Sequence, residues 1–272
     1  MNKTILSFVI AALGALPSIA MPPMGFTAQR GMTNFLGPET WARCATQMTS
    51  DGAQAYELSY ERSGTMPKSP FAGDYEPKFL PSVGNSGTVQ IYNMETLNEG
   101  VADGNQGTQM DALGHFGYVD VPLNAQGELD GAEVKYFGGF TDQEVKPTPD
   151  SPLLKLGIET VPPIVTTAVM LDVRKYVFKG KAMGAGEYVT VEHIEKALQA
   201  SGIRERGIVA GDVVLINTGW SDHYQDPDTT GVYYSSAPGL SYTAAEYFGA
   251  KKVAAVGLDT PFVDALGAPG TE

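Results

Sequence analysis

The chain has one cysteine, Cys44, in 272 residues, so no disulfide can close within it. It has only three histidines, at positions 115, 193 and 223, which limits imidazole chemistry to three places. Cationic charge is scarce. Lys and Arg number 18 against 31 Asp and Glu, for a formal net charge of -13. That balance argues against nucleic acid and anionic membrane as partners, because both are themselves negatively charged. Beyond the N-terminus no apolar run approaches the ~20 residues that span a bilayer. Internal repeats and low-complexity tracts are also missing.

What is present is ordinary for a globular chain. An apolar fraction of 43% is ample for a core. The 32 glycines and 18 prolines point to many turns, hence to β-rich structure. The length allows one large domain or two small ones. The first 20 residues read as a secretory signal: Lys3 is the positive lead, residues 5–16 are a short apolar core, and Ser18 and Ala20 are the small residues before a cleavage point. The mature protein is then expected to begin near residue 21, exported to the periplasm or beyond, with no membrane attachment after cleavage. Cys44, in a Trp41-Ala42-Arg43-Cys44-Ala45 context, is expected to be buried on a helix rather than catalytic, since no histidine lies near it in sequence.

Pattern along the chain predicts the elements. Residues 21–37 read as an irregular lead-in and 38–49 as a helix, with Pro38 in its first turn. Residues 56–60 and 89–94 alternate as strands, with a long loop at 68–88 between them. The glycine-rich stretch 117–149 carries short strands such as 133–137. Residues 164–171 are nearly all apolar, the pattern of a strand buried on both faces. Thr190 caps a helix to residue 201 that Gly202 stops. Residues 213–217 and 253–258 read as buried strands, with a helix at 242–249 before the second. This order of strands and helices implies α/β layering.

The densest polar stretch is Asn105-Gln106-Gly107-Thr108-Gln109-Met110-Asp111-Ala112-Leu113-Gly114-His115-Phe116. Two kinds of structure would produce it: a hydrated loop with an incidental histidine, or a site where polar groups converge. His193 reads as a surface residue of its helix. His223 follows a strand exit, where active-site loops gather, and a solvent-facing loop histidine is the alternative. The aromatics Phe71, Tyr75, Tyr118, Phe137, Phe140, Tyr224, Tyr233 and Tyr234 are candidates for lining an apolar pocket, or for core and surface positions.

The stretch at 105–116 resembles the metal-binding signature of the cyclase/kynurenine formamidase superfamily, H-x-G-T-H-x-D-x-P-x-H-F. Gly107, Thr108, Asp111, His115 and Phe116 match it. Asn105, Gln109 and Leu113 replace the two ligand histidines and the proline, which is the G-T-Q-x-D-x-x-G-H form. Residues 56–67, 211–220 and 253–260 resemble further family elements, in family order. The resemblance implies an α/β fold, a swivelling β/β/α single domain over residues 56–272 after an N-terminal extension (21–55) with a helix. It implies hydrolysis of cyclic or aryl amides or lactones, as in the isatin hydrolases. In that scheme a divalent metal lowers the pKa of a bound water. Asp111 is a metal ligand and His115 the proton shuttle. A homo-oligomer is implied too.

The amides alter that scheme. An amide oxygen is a poor match for Zn and suits Mn, Mg or Ca better. Three readings stay open: a harder metal held by Asp111 and Gln109, an acid–base pair of Asp111 and His115 acting on water without metal, or a small-molecule-binding protein without turnover. Asn105, Gln106, Thr108 and Gln109 are then the water- or substrate-binding groups. The family also supplies a His and a Glu late in the chain. Residues 268–271 resemble the approach to them, and either those groups are absent or the chain is truncated at Glu272.

Overall fold

A computed structural model of the chain describes residues 26–98, 106–121, 124–125 and 133–267. The expected signal segment and Asn105 lie outside the described residues. A 3-10 stretch, Ala28–Phe35, precedes α1 (Pro38–Met48), which has Pro38 in its first turn as the sequence predicts. The helix is tied to distant chain: Thr40 Oγ1 lies 3.0 Å from the Val165 carbonyl, and Arg43 donates to the Ala210 carbonyl at 3.0 Å. Cys44 sits on this helix but is only half-buried.

Two expectations for the next segment fail. Residues 56–60 form no strand, because nothing pairs with them. Tyr60 instead stacks on Tyr224 with ring centroids 4.4 Å apart. The expected loop at 68–88 contains β1 (Glu76–Gly84), paired antiparallel with β2 (Ile91–Asn98). Pro81 hides this strand from a period-two reading. The register shifts between Leu80 and Val83, so Pro81 falls in a bulge where no ladder donor is required. The expected strand at 133–137 is reduced to single bridges from Lys135 to Tyr118 and Thr141. The short helix α2 (Asp142–Val145) follows.

The second half is the α/β part. Its strands β3 (Ala168–Asp172), β5 (Val213–Asn217) and β7 (Ala255–Leu258) form a parallel sheet in the order β3-β5-β7. Between them run α3 (Val173–Tyr176), α4 (Val191–Ala200) and α5 (Tyr242–Ala250). A two-residue parallel pair, β4 (Tyr188–Val189) with β6 (Gly239–Leu240), joins the connections. Among the described residues no helix is long and apolar enough to cross a membrane.

One face of the sheet carries the main core. Val169 and Leu171 of β3 and Val214 and Ile216 of β5 are buried against Ile194, Ala197 and Leu198 of α4 and Ala244 and Phe248 of α5. The i, i+3 and i, i+4 spacings put these helical residues on one stripe. Each fully buried aliphatic or aromatic side chain contributes about 1.5–3 kcal/mol. β3 is less buried than its apolar run suggests: Met170 is 52% exposed, and the strand alternates rather than being covered on both faces. It is an edge strand with helices packed on one side. His193 is half-buried and caps α4. Its Nδ1 accepts from the Thr190 N–H at 3.4 Å, and Thr190 Oγ1 accepts from the His193 N–H at 3.3 Å.

Asp212, just before β5, is wholly buried and accepts from Arg206, from the Thr167 hydroxyl at 2.6 Å and from the Val209 N–H at 3.0 Å. Burial alone would raise its pKa. The Arg206 guanidinium and these donors outweigh that and hold the carboxyl below the ordinary value.

Candidate active site

The polar stretch begins with a buried anchor. Gln106 is fully buried. Its Oε1 accepts from the Ser69 N–H at 3.3 Å, and its Nε2 donates to the Gly73 carbonyl at 2.6 Å. Its amide is thus engaged with backbone of the 69–73 loop. Gly107 follows at φ +74°, a left-handed conformation that favours glycine, and its N–H donates to the Tyr234 hydroxyl at 3.3 Å. The far end is also held. The Gly114 N–H donates to the Leu156 carbonyl at 3.0 Å, and the His115 N–H closes a turn onto the Ala112 carbonyl at 2.9 Å.

The candidate groups of the stretch face outward. Thr108, Gln109, Asp111 and His115 are all exposed. Gln109 Nε2 donates to Asp111 Oδ1 at 3.0 Å, which orients the carboxylate. The His115 ring meets the edge of Phe116, centroids 4.5 Å apart. The structure therefore brings Gln109 onto Asp111 and keeps Thr108 and His115 on the same held loop, whereas Gln106 points into the protein. Asn105 lies outside the described residues.

The loop leans on an aromatic cluster that also supports the sheet's carboxyl edge. Met66, Tyr75, Trp220, Tyr224, Tyr233 and Tyr234 are buried together. The Trp220 indole N–H donates to the Tyr233 carbonyl at 3.1 Å, and Tyr233 meets Tyr234 edge-on at 5.1 Å. Burial pushes the Tyr224 phenol up to about 12 and raises Tyr233 and Tyr234 as well, so all three stay neutral and act through shape and hydrogen bonds. Of the aromatics singled out from sequence, Tyr75, Tyr224, Tyr233 and Tyr234 join this cluster. Phe71 packs edge-on to Phe262 at 6.1 Å beside it. Tyr118 and Phe140 belong to the 118–141 region, bridged to Lys135 and covered by Lys155 respectively, while Phe137 packs near Gly31.

Polar residues that the sequence reading placed at strand ends, but not among the site candidates, mark the ends of the parallel strands. Asp172 accepts from Asn217 Nδ2 at 3.0 Å, joining the tips of β3 and β5. Beyond β7, Asp259 accepts from the Thr218 N–H at 2.8 Å, the Thr218 hydroxyl at 2.6 Å and the Gly219 N–H at 2.8 Å. This clasp shapes the exit that carries Trp220 and His223, whose rings lie 4.4 Å apart. Asp222 does not orient His223. It holds Arg174 in a bidentate pair at 2.8 and 2.7 Å. The signal for Asp172 and Asp259 was their place at the end of an apolar run, where α/β sheets gather functional groups.

The side chains fit a resident metal poorly. Among the described residues no three His, Cys, Asp or Glu side chains come together as a metal-binding group. Asp111 is the one carboxylate within the stretch, and one of its oxygens already accepts an amide N–H from Gln109. A cation would need an oxygen of Gln109 turned toward it, not a hydrogen. The arrangement suits a carboxylate that is oriented by an amide and free to steer a water.

Comparison with known proteins places this geometry in a lineage. The family model described as a cyclase matches residues 49–265. The chain belongs to the cyclase family. A solved cyclase structure has the same fold, with a TM-score of 0.70 at 19% identity over 88% of this chain and 74% of that one. Isatin hydrolase A from Ralstonia solanacearum is similar at 20% identity over 77% of this chain and 67% of that one, with a TM-score of 0.44. An isatin hydrolase bound to the product analogue thioisatinate scores 0.42 at 20% identity, over 74% of this chain and 62% of that one. No curated protein matches the chain in sequence. The cyclase match spans the held loop, the aromatic cluster and all three strands of the parallel sheet. All of α1 lies ahead of it.

Proposed function

We propose that this cyclase-family chain is a hydrolase that opens a cyclic amide or lactone, or cleaves an aryl amide, using a water activated by His115 and steered by Asp111. The observation that carries this reading is the exposed Gln109–Asp111 pair at 3.0 Å, with His115 four residues on, in a loop held by Gln106 and by the Gly107–Tyr234 and Gly114–Leu156 bonds. A general base must be positioned before its pKa matters, and an anchored loop carrying His115 supports that role for it. His115 takes a proton from water as the oxygen attacks the carbonyl carbon. The tetrahedral adduct collapses with cleavage of the C–N or C–O bond, and His115 returns the proton to the departing nitrogen or oxygen. Asp111 accepts a hydrogen bond from the same water. Asn105 and Thr108 are the further polar groups that contact substrate or water. No step is routed through a metal, because the donor set among the described residues does not fit one.

The experiment is turnover of a small panel of lactones, cyclic amides and aryl formamides by the pure protein, with its metal content measured on the same sample. Turnover that His115→Ala abolishes with the fold intact supports the proposal. Turnover that tracks a stoichiometric metal and vanishes on chelation overturns its metal-free form. A second reading, a small-molecule-binding protein without turnover, is favoured by the amide at position 109, where the family signature has histidine. It prevails if no panel member turns over while one still raises the melting temperature. We also propose that the protein is exported, its mature form beginning near residue 21. An intact Met1 on exported protein overturns that.

A further inference from the structure

The 3-10 stretch Ala28–Phe35 lies ahead of the residues that the cyclase model matches, yet it reaches the functional loop. Asn34 closes it into a compact coil. This buried side chain donates through Nδ2 to the Thr27 carbonyl at 2.7 Å and to the Gly31 carbonyl at 2.6 Å, and its Oδ1 accepts from the Thr27 N–H at 3.0 Å. The coil is fastened to later chain at both ends. The Thr160 hydroxyl donates to the Gln29 carbonyl at 3.2 Å, and Gly211 packs so closely under the Phe35 carbonyl that a Cβ there would lie 2.7 Å from its oxygen. Between these ties Gly31, buried at φ +50°, turns its bare Cα toward the loop. A methyl group on it would stand 2.9 Å from Leu113 Cδ1 and 3.5 Å from the Phe137 ring. Backbone conformation and close approach both call for glycine at this point.

Leu113 stands midway between Asp111 and His115. Its neighbour Gly114 is gripped from another direction. The Gly114 N–H is bonded to the Leu156 carbonyl, and a Cβ on Gly114 would meet Leu153 Cδ1 at 3.1 Å and Leu156 Cβ at 3.2 Å. The turn between the two candidate groups is thus held by the coil at Leu113 and by residues 153–156 at Gly114. Close-packed contacts of this kind pass a displacement on rather than absorb it. We infer that the coil is a positioning element of the site, and that through Gly31 and Leu113 it sets where His115 stands relative to Asp111. Gly31 and Leu113 are positioning residues, acting through the turn. The placement follows from these contacts alone, while its consequence for turnover rests on the reading of His115 as general base.

The test reads the histidine ring resonances of the full chain by NMR. With three histidines in all, His115 reports on the gripped turn, and His193 and His223 report on other elements. Two variants perturb the coil: Asn34→Ala, whose lost bonds all lie inside it, and Gly31→Ala, which presses on Leu113. Each is expected to move the His115 resonance and leave the other two in place. In a Leu113→Ala background Gly31→Ala should add no further shift, because the atom it meets is gone. An unmoved His115, a shift shared by all three rings, or a Gly31→Ala effect that survives without Leu113 overturns the inference. Where a panel substrate turns over, both coil variants should lower kcat about 10- to 100-fold with KM within about twofold, as for a displaced catalytic group. Lowered KM affinity with kcat unchanged overturns the inference as well. A wild type that turns nothing over defeats the hydrolase reading only, since the resonances still decide the placement. If both variants fail to fold, hydrogen exchange on the unaltered chain decides. Gly114 and His115 amides that open in the same step as the Leu36 amide, which is bonded to the Thr33 carbonyl, support the inference, and amides that open independently of it overturn it.

Discussion

Replacing Gln106 with leucine nearly preserves volume but removes both of the hydrogen bonds that fasten the functional loop to residues 69–73. In the native protein the side chain is fully buried, with Ser69 N–H at 3.3 Å and the Gly73 carbonyl at 2.6 Å. Leucine leaves that donor and that acceptor facing an apolar group. A lost bond costs about 1 kcal/mol net, and an orphaned buried polar group about 1–3 kcal/mol. The contact at 3.3 Å is the weaker of the two, so the expected loss is about 2–4 kcal/mol. In a chain of this size that lowers the melting temperature by roughly 5–15 °C. Thermal and urea unfolding followed by circular dichroism measure it. Gln106→Glu adds a sign. Glutamate keeps an acceptor for Ser69 but sets a carboxylate against the Gly73 carbonyl in a buried site, which raises its folded pKa. A raised folded pKa means that the folded state holds the proton more tightly. The deficit against wild type is then largest near neutral pH and shrinks as pH falls toward the ordinary glutamate value. A loss below about 0.5 kcal/mol for leucine, with no pH dependence for glutamate, would refute the assignment of Gln106 as the strut of this loop.

The other expectations rest on single contacts. Asp212→Asn removes the charge that Arg206 faces in a buried position. Because Arg206 is itself 38% exposed, the expected loss is about 2–3 kcal/mol, below that of a fully buried pair. Asp212 has a lowered folded pKa, so its contribution is complete above the ordinary carboxylate value and fades as pH falls through the folded one. Urea unfolding of wild type and variant should converge below about pH 4. Gly107→Ala forces a left-handed backbone on a residue with a Cβ, beside the Arg62 side chain, and should cost about 1–2 kcal/mol in the same assay. An unchanged melting temperature there would mean that the turn relaxes freely. His115→Ala, at an exposed position, should change stability by less than about 0.5 kcal/mol while abolishing turnover, and a large unfolding shift would mean that the imidazole is structural.

Much of the second half was legible because its signals are local. Thr190 before a helical stripe and apolar runs ended by Asp172 or Gly219 each need only their neighbours to be understood. The first half was not, because its strands exist through pairing. Pro81 breaks the period of β1, and only the bulge opposite β2 makes room for it. The alternating residues 56–60 looked like a strand but have no partner, so Tyr60 went to an aromatic stack. The site divides in the same way. Asp111, Gln109 and His115 stood out as chemistry from their types and spacing. That Gln106 turns inward, that Gln109 spends an N–H on Asp111, and that Tyr234 holds Gly107 from 127 residues away are matters of chain approach.

With one thiol and no internal disulfide, packing, hydrogen bonds and ion pairs such as Arg206–Asp212 hold the chain. By itself the sequence determined the α/β order of elements and the place where polar groups collect, since helix stripes, caps and strand ends are written in consecutive residues. Only the tertiary structure decided which of those polar groups are anchors and which face solvent. A side chain's role depends on what the rest of the chain brings against it, and a buried amide and an exposed one are the same letter.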